Sequence, residues 1–293
     1  MLKLISFYKY SEVQNPEEIK NHLLTYCNNQ NLKGKIYVAT EGLNGNVCGE
    51  VANIELFKEF IKKMLGFEDT LFKEDEIDAL VFSAMHVRVK NELVNLGIPG
   101  LTNKHGGTRL SPEKLLEFYE SGKDFVIIDT RNSYESKIGH FKNSINPEMK
   151  NFREWKNVAE SLQDYKDKAV VTYCTGGIRC EKASAYLVEL GFKNVYQLDG
   201  GILTFIKKFP DTYWQGGMFV FDGRKVVNPN SKEELKYTST CEHCAKPTSY
   251  YINCHNLDCD ILLVCCKECA IEKNYCCSES CVQSSNQRSK IYE

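Results

Sequence analysis

Three regimes of hydrophobic patterning follow one another along the chain. In the first, Leu4-Ile5-Ser6-Phe7-Tyr8 reads as a strand, and Asn15-Pro16-Glu17-Glu18 sets a cap, a proline and two acids at the head of a helix ending near Asn29. Lys35 to Thr40 is a second strand. The glycines of Glu41-Gly42-Leu43-Asn44-Gly45-Asn46 mark a turn before Val47-Cys48-Gly49 resumes extended structure. Ile54 to Ile61 carries apolar residues at helical spacing, and strand-like runs follow near Thr70 to Phe72 and at Met85 to Val89. This order predicts a βαββαβ-like α+β domain over residues 1–100.

The second regime opens after a polar, glycine-rich stretch, 104–107, that reads as a linker. Ser111 caps a helix with Pro112 at its first position. Phe125-Val126-Ile127-Ile128-Asp129 and Val170-Val171-Thr172-Tyr173 are continuous apolar runs of the kind buried in parallel sheets. A helix from Cys180 to Gly191 and a strand at Val195 to Leu198 complete a β-α-β alternation, so 110–215 reads as α/β with a parallel sheet. In the third regime, 216–293, Phe219 to Val227 is a hairpin turning at Asp222-Gly223; a cysteine cluster follows, and about ten polar residues at the end are expected to fray.

Composition adds little until the cysteines are counted. Apolar residues are 42% and charged residues 26%, which excludes wholesale disorder. No run approaches the roughly 18 apolar residues of a membrane span, and the first ten residues lack an export-signal pattern. The expectation is a cytoplasmic protein without a membrane partner. A net charge of -2 gives no electrostatic footprint for nucleic acid. Of 14 cysteines, however, ten lie between Cys241 and Cys281. In a reducing compartment that density favours metal over disulfides.

Cys241-x-x-Cys244 and Cys266-x-x-Cys269 supply the four soft ligands of one structural zinc site. Cys254, Cys259, Cys281 and either Cys276 or Cys277, with Cys277 preferred, supply a second, so one or two ions are expected. Cys265 is left over, His243 and His255 are alternative ligands, and spacing does not separate crossed from sequential pairing. An iron–sulfur cluster or redox-active thiols are the rival readings. A segment with so few apolar residues needs such a staple to fold.

The strongest chemical signal is Cys174-Thr175-Gly176-Gly177-Ile178-Arg179-Cys180. A thiol at the end of a buried strand, a glycine loop and a helix start together make an anion-binding nest that depresses a cysteine pKa. Arg179 adds fixed charge and a planar fork. Cys180 either resolves an oxidised Cys174 or fills the helix turn. His140 is a site base or a backbone-bonding loop histidine; Asp129 and Arg131 form a structural pair. Glu41 and Asn44 touch RNA or serve the turn, and Tyr213, Trp214, Phe219 and Phe221 stack on bases or fill the hairpin core.

This loop, with Asp129-Thr130-Arg131, Tyr134-Glu135, Gly139-His140-Phe141 and Leu198-Asp199-Gly200-Gly201, resembles the rhodanese (sulfurtransferase) domain. The resemblance implies a persulfide carried on Cys174. Four residues separate Cys174 from Arg179, where related cysteine phosphatases have five, so the loop favours sulfur over phosphate. Cys-Thr-Gly-Gly-Ile-Arg-Cys-Glu-Lys-Ala, the segment Lys35 to Asn46 and the terminal cysteines together resemble the YceA/TrhO family of rhodanese-domain tRNA uridine hydroxylases. That resemblance implies an N-terminal ferredoxin-like (acylphosphatase-like) domain, tRNA bound through its anticodon region, and molecular oxygen as co-substrate for converting the wobble uridine to 5-hydroxyuridine. No flavin, haem or nicotinamide motif is evident. A plain sulfurtransferase passing sulfur from Cys174, and a zinc-stabilised RNA- or protein-binding scaffold, are the alternatives. Oligomeric state is not legible.

Overall fold

The computed structural model describes residues 1–98, 101, 105–210, 212–230 and 233–289. Its first unit runs β1 (Leu2–Tyr10), α1 (Pro16–Asn29), β2 (Lys33–Ala39), β3 (Gly42–Glu50), α2 (Val51–Lys62), β4 (Phe72–Ile77) and β5 (Met85–Val89). The strands form one sheet in the order β4-β1-β3-β2-β5, the ferredoxin-like pattern with β5 added parallel at the edge of β2. One face packs on α1 and α2 through Phe7, Ile36, Val47, Leu23 and Phe57. The opposite face is left for other parts of the chain.

Two expectations change here. The glycine-bearing segment read as a turn is mostly strand: only Thr40-Glu41 turn, and Gly45 pairs with both Phe7 and Ile36. A Cβ at Gly45 would lie 2.9 Å from the Phe7 ring, so close packing rather than turn geometry selects glycine there. The fourth strand is displaced from 70–72 to Phe72–Ile77, a run dominated by charge. Its carboxylates are neutralised laterally, Glu74 by Lys3 (2.6 Å) and Lys58, which is how a charged segment holds an edge position.

The second unit contains β6 (Thr108–Leu110), α3 (Pro112–Glu120), β7 (Phe125–Asp129), α4 (Ser133–Ile138), β8 (Gly139–Phe141), α5 (Trp155–Ser161), β9 (Ala169–Tyr173), α6 (Ile178–Glu189), β10 (Asn194–Leu198) and α7 (Gly201–Lys208). Its parallel sheet has the order β6-β10-β9-β7, covered on both sides by apolar clusters around Trp155 and Phe205. The expected linker is not free. Lys104 lies outside the described residues, and Gly107 is tied down: its N–H donates to Ser184 Oγ (2.9 Å) and its carbonyl accepts from Gln197 (3.0 Å).

β11 (Trp214–Gly216) pairs with β8 and leads into β12 (Met218–Phe219) and β13 (Val226–Val227). The hairpin exists, but six residues, Val220 to Lys225, separate its strands. The turn is not a tight Asp-Gly pair because Asp222 clamps Arg224 with two side-chain bonds and the Gly223 N–H is drawn to Val81 O in the first unit (2.9 Å). A small cysteine-rich module follows, with β14 (Tyr251–Asn253), β15 (Leu262–Val264), α8 (Lys267–Glu272) and α9 (Glu279–Val282). The end of the chain does not fray as expected through the last described residues. Arg288 N–H donates to His255 O (2.7 Å) and Leu257 N–H to Asn286 O (2.9 Å); residues 290–293 lie outside the described range.

Candidate active site

β9 ends at Tyr173, and Cys174 is the next residue, fully buried at the C-terminal edge of the parallel sheet. Gly177 sits at φ +99° and donates its N–H to Cys174 Sγ (3.1 Å), so α6 starts at Ile178, two residues before the expected Cys180. Arg179 and Cys180 therefore lie in the first helical turn. The Asp199-Gly200-Gly201 motif explains itself at this point. Ile202 and Leu203 N–H, at the head of α7, donate to the carbonyls of Cys174 (3.0 Å) and Thr175 (3.1 Å), and a Cβ at Gly201 would lie 2.5 Å from the Cys174 oxygen.

Burial on its own would raise the Cys174 thiol. The Cys180 S–H, the Arg179 guanidinium and the backbone N–H groups of Arg179 and Gly177 outweigh it and bring the thiol down to about 5. Cys180 goes the other way: burial and the adjacent Cys174 sulfur push it well above the usual thiol range, and Thr130 Oγ1 lies 3.7 Å from its sulfur. One thiolate and one thiol stand side by side.

The fork of Arg179 does not face an open oxyanion position. It is engaged by Glu135, Nη1 to Oε1 at 2.6 Å and Nη2 to Oε2 at 2.8 Å, in a buried bidentate pair that also touches Thr175 Oγ1 (3.4 Å). Glu135 belongs to the rhodanese-like Tyr134-Glu135 motif, but its pairing with Arg179 was not legible, because nothing links the two along the chain. Asp129 and Arg131 form the expected buried pair, and Arg131 also holds Gly139 O (2.6 Å). His140 bonds Ser136 O through Nδ1 (2.9 Å), the backbone-bonding alternative.

Above the sulfur lies a cavity of about 330 Å³ lined from one side by Cys174, Thr175, Gly176, Ile178 and Arg179. The other wall is the uncovered face of the first sheet: Ser6 and Tyr8 of β1, Asn44 and Asn46 of β3, Lys35 and Tyr37 of β2, and Lys73 of β4. Bonds across the wall lock the two units together. Lys73 Nζ donates to Gly176 O (2.8 Å), Tyr10 Oη to Ile178 O (3.4 Å) and Tyr8 Oη to Glu181 (3.1 Å). Lys182 is clamped between Glu41 (2.9 Å) and Glu92 (2.7 Å), so Glu41 serves this junction. Burial lowers the pKa of Lys73, which has no carboxylate partner among the described residues. Of the four aromatics considered for stacking, Tyr213 stacks on Tyr119, Trp214 packs edge-on to Phe141, and Phe219 is buried. Phe221 is 51% exposed and lines the cavity. The signal for this wall was the alternation Ser6-x-Tyr8, Lys35-x-Tyr37 and Asn44-x-Asn46, which places polar and aromatic side chains on one face of a sheet.

In the last module the structure gathers Cys241, Cys244, Cys266 and Cys269 into one group, and Cys254, Cys259, Cys277 and Cys281 into another. Within each, the sulfurs lie within 4.8 Å of one another, with closest pairs at 3.5–3.7 Å. Four thiolates around a tetrahedral zinc stand about 3.8 Å apart, so both donor sets fit a metal ion. The pairing is crossed. Cys265 is buried in the apolar core of the module, Cys276 faces Gln287 Oε1 (3.7 Å), and neither His243 nor His255 belongs to a group.

Comparison with known proteins covers nearly the whole chain. Residues 2–93 match the UPF0176 acylphosphatase like domain, 111–208 the rhodanese-like domain and 215–282 the rhodanase C-terminal family. The chain is 40% identical over 295 residues to a tRNA uridine(34) hydroxylase of Acholeplasma laidlawii, covering 98% of this chain and 91% of that protein. Proteins of the same name from Bacillus cereus (strain AH187) and Chlamydia abortus are 39% and 37% identical, covering 98% and 97% of this chain and 91% and 88% of theirs.

Proposed function

The chain belongs to the tRNA uridine(34) hydroxylase family, and we propose that the sulfur of Cys174 carries its chemistry. The enzyme modifies tRNA by hydroxylating the wobble uridine. The observation that supports Cys174 is its place at the base of the cavity with the Gly177 amide on its sulfur and Arg179 beside it, surroundings that lower its thiol pKa. A thiolate is a nucleophile at neutral pH without an added base. Because the thiol is fully buried, a persulfide, longer by one S–S bond of about 2 Å, reaches further into the cavity than the thiol does.

In this reading the sulfur adds to C6 of the uracil, and the C5–C6 π electrons pass into the C4 carbonyl as an enolate. The electron-rich C5 takes one oxygen atom from molecular oxygen. The other oxygen leaves as water, with two electrons and two protons supplied by thiols that become a disulfide. Loss of the C5 proton and departure of the sulfur restore the ring as 5-hydroxyuridine. Arg179 and Glu135 fix the loop; the Gly177 and Arg179 amides stabilise the sulfur anion when it leaves.

The anticodon region of tRNA is the bound element, and the cytoplasm, where tRNA and reduced thiols coexist, is the compartment. Among the described residues no helix is long and apolar enough to cross a membrane. Zinc in each cysteine quartet would hold the last module together as a structural ion. The domain limits that go with this reading are 1–100, 110–215 and 216–293.

Nucleoside mass spectrometry of tRNA from cells lacking the gene tests the reading. Wild type should restore 5-hydroxyuridine and its derivatives, and Cys174→Ala should not. Restoration by both would remove the thiolate from the mechanism, and sulfur transfer from Cys174 without any change in hydroxylation would favour a plain sulfurtransferase.

A further inference from the structure

The sheet face opposite Cys174 carries more polar structure than packing requires. Cross-strand register sets Ser6, Asn46 and Lys35 in one row and Tyr8, Asn44 and Tyr37 in the next. Asn46 Oδ1 accepts from the Ser6 hydroxyl (2.6 Å), which leaves its amino group for another partner. The Asn44 amide makes no side-chain hydrogen bond among the described residues, although it lines the cavity. Lys35 and Lys90 flank the Tyr37 ring at 5.4 and 5.3 Å, and neither has a carboxylate partner among the described residues. Among the described residues the cavity lining contains no carboxylate and two lysines without one as partner, Lys35 and Lys73; Arg179, also in the lining, is paired with Glu135 behind it. A chain with net charge -2 thus presents locally unpaired cations around one amide-lined recess.

An amide offers one acceptor and two donors in a plane, which matches the N–H and carbonyl pair on the edge of uracil. Lysines without carboxylate partners beside a half-buried aromatic, Tyr37, suit the phosphates and bases of a single strand. The volume holds one base with its sugar, not a longer stretch. We propose that this face is the base-reading wall of the site: Asn44, assisted by Asn46, hydrogen-bonds the polar edge of one extruded RNA base, and Lys35 and Lys90 hold the phosphates beside it. The inference rests on the reading that the cavity receives a tRNA uridine for Cys174.

Binding separates this proposal from that reading, because it can be measured without chemistry. The full-length Cys174→Ala protein is titrated with an anticodon stem-loop RNA carrying either uridine or an abasic site at the wobble position. The expected preference for uridine is roughly tenfold or more. Asn44→Ala, introduced in the same background, should abolish that preference while leaving salt-dependent binding. Lys35→Ala with Lys90→Ala should weaken both RNAs alike and flatten the salt dependence. Asn44→Ser, too short to span a base edge, should behave as Asn44→Ala. The same Asn44 and lysine substitutions made in the protein that keeps Cys174 should retain its thiolate absorbance, which shows that the site is folded. An unchanged uridine preference in both Asn44 variants, or no preference in the parent, overturns the proposal, whatever Cys174→Ala does to hydroxylation.

Discussion

Arg179 donates both arms of its guanidinium to Glu135, a residue 44 positions away, so the guanidinium acts on Cys174 through its charge while the pair pins the loop that aims the Arg179 amide at the sulfur. Both partners are buried. Removing the carboxylate strands a buried cation, so Glu135→Ala should cost about 3–5 kcal/mol. Urea unfolding of the two proteins measures it, and a loss within 1 kcal/mol, roughly that of a surface pair, contradicts the burial argument.

The pH dependence follows from the low Cys174 thiol. The thiolate fraction rises as pH climbs through about 5 and is essentially complete at neutral pH. Cys180→Ala deletes the S–H that donates to it, so the midpoint should move upward, towards the ordinary thiol value. Ultraviolet thiolate absorbance, taken as wild type minus Cys174→Ser, follows the titration. A downward shift in Cys180→Ala is the outcome that would sink this account of the pair.

The cysteine quartets predict metal content. Two groups imply about two ions per chain, and Cys241→Ser should lose one of them while Cys265→Ser and Cys276→Ser keep both. Elemental analysis of the purified proteins decides. Chelation should unfold the last module first, seen as loss of protection around β14 and β15 in hydrogen exchange.

Lys182 joins α6 to two acids of the first unit, and all three are at least partly shielded. Lys182→Met should lower stability by about 1–2 kcal/mol, discounted for the partial exposure of Glu41 and Glu92. Hydrogen exchange should show the loss at the junction of the two units, near Glu92 and the head of α6, and not within the core around Phe57.

What the sequence made legible was contiguous. The loop from Cys174 to Cys180 could be read because strand, glycines and helix start occupy adjacent positions, and the two Cys-x-x-Cys pairs because two thiols of a knuckle lie one turn apart. The pairing of Glu135 with Arg179 escaped because the two are distant along the chain. Asn44 and Asn46 looked like turn residues because Gly42 and Gly45 flank them, whereas Gly45 is small to admit the Phe7 ring. Charges hid β4, whose neutralising lysines come from β1 and α2. Crossed pairing of the cysteines needed the fold of the module, since either pairing satisfies the same spacings.

The most direct test of the central claim uses purified protein, tRNA and oxygen-18 gas. Wild type should yield 5-hydroxyuridine carrying one heavy oxygen atom, with Cys174→Ala and Cys174→Ser yielding none although both still bind the tRNA. Labelled 5-hydroxyuridine from either variant at the wild-type rate would contradict the claim that the Cys174 sulfur carries the reaction.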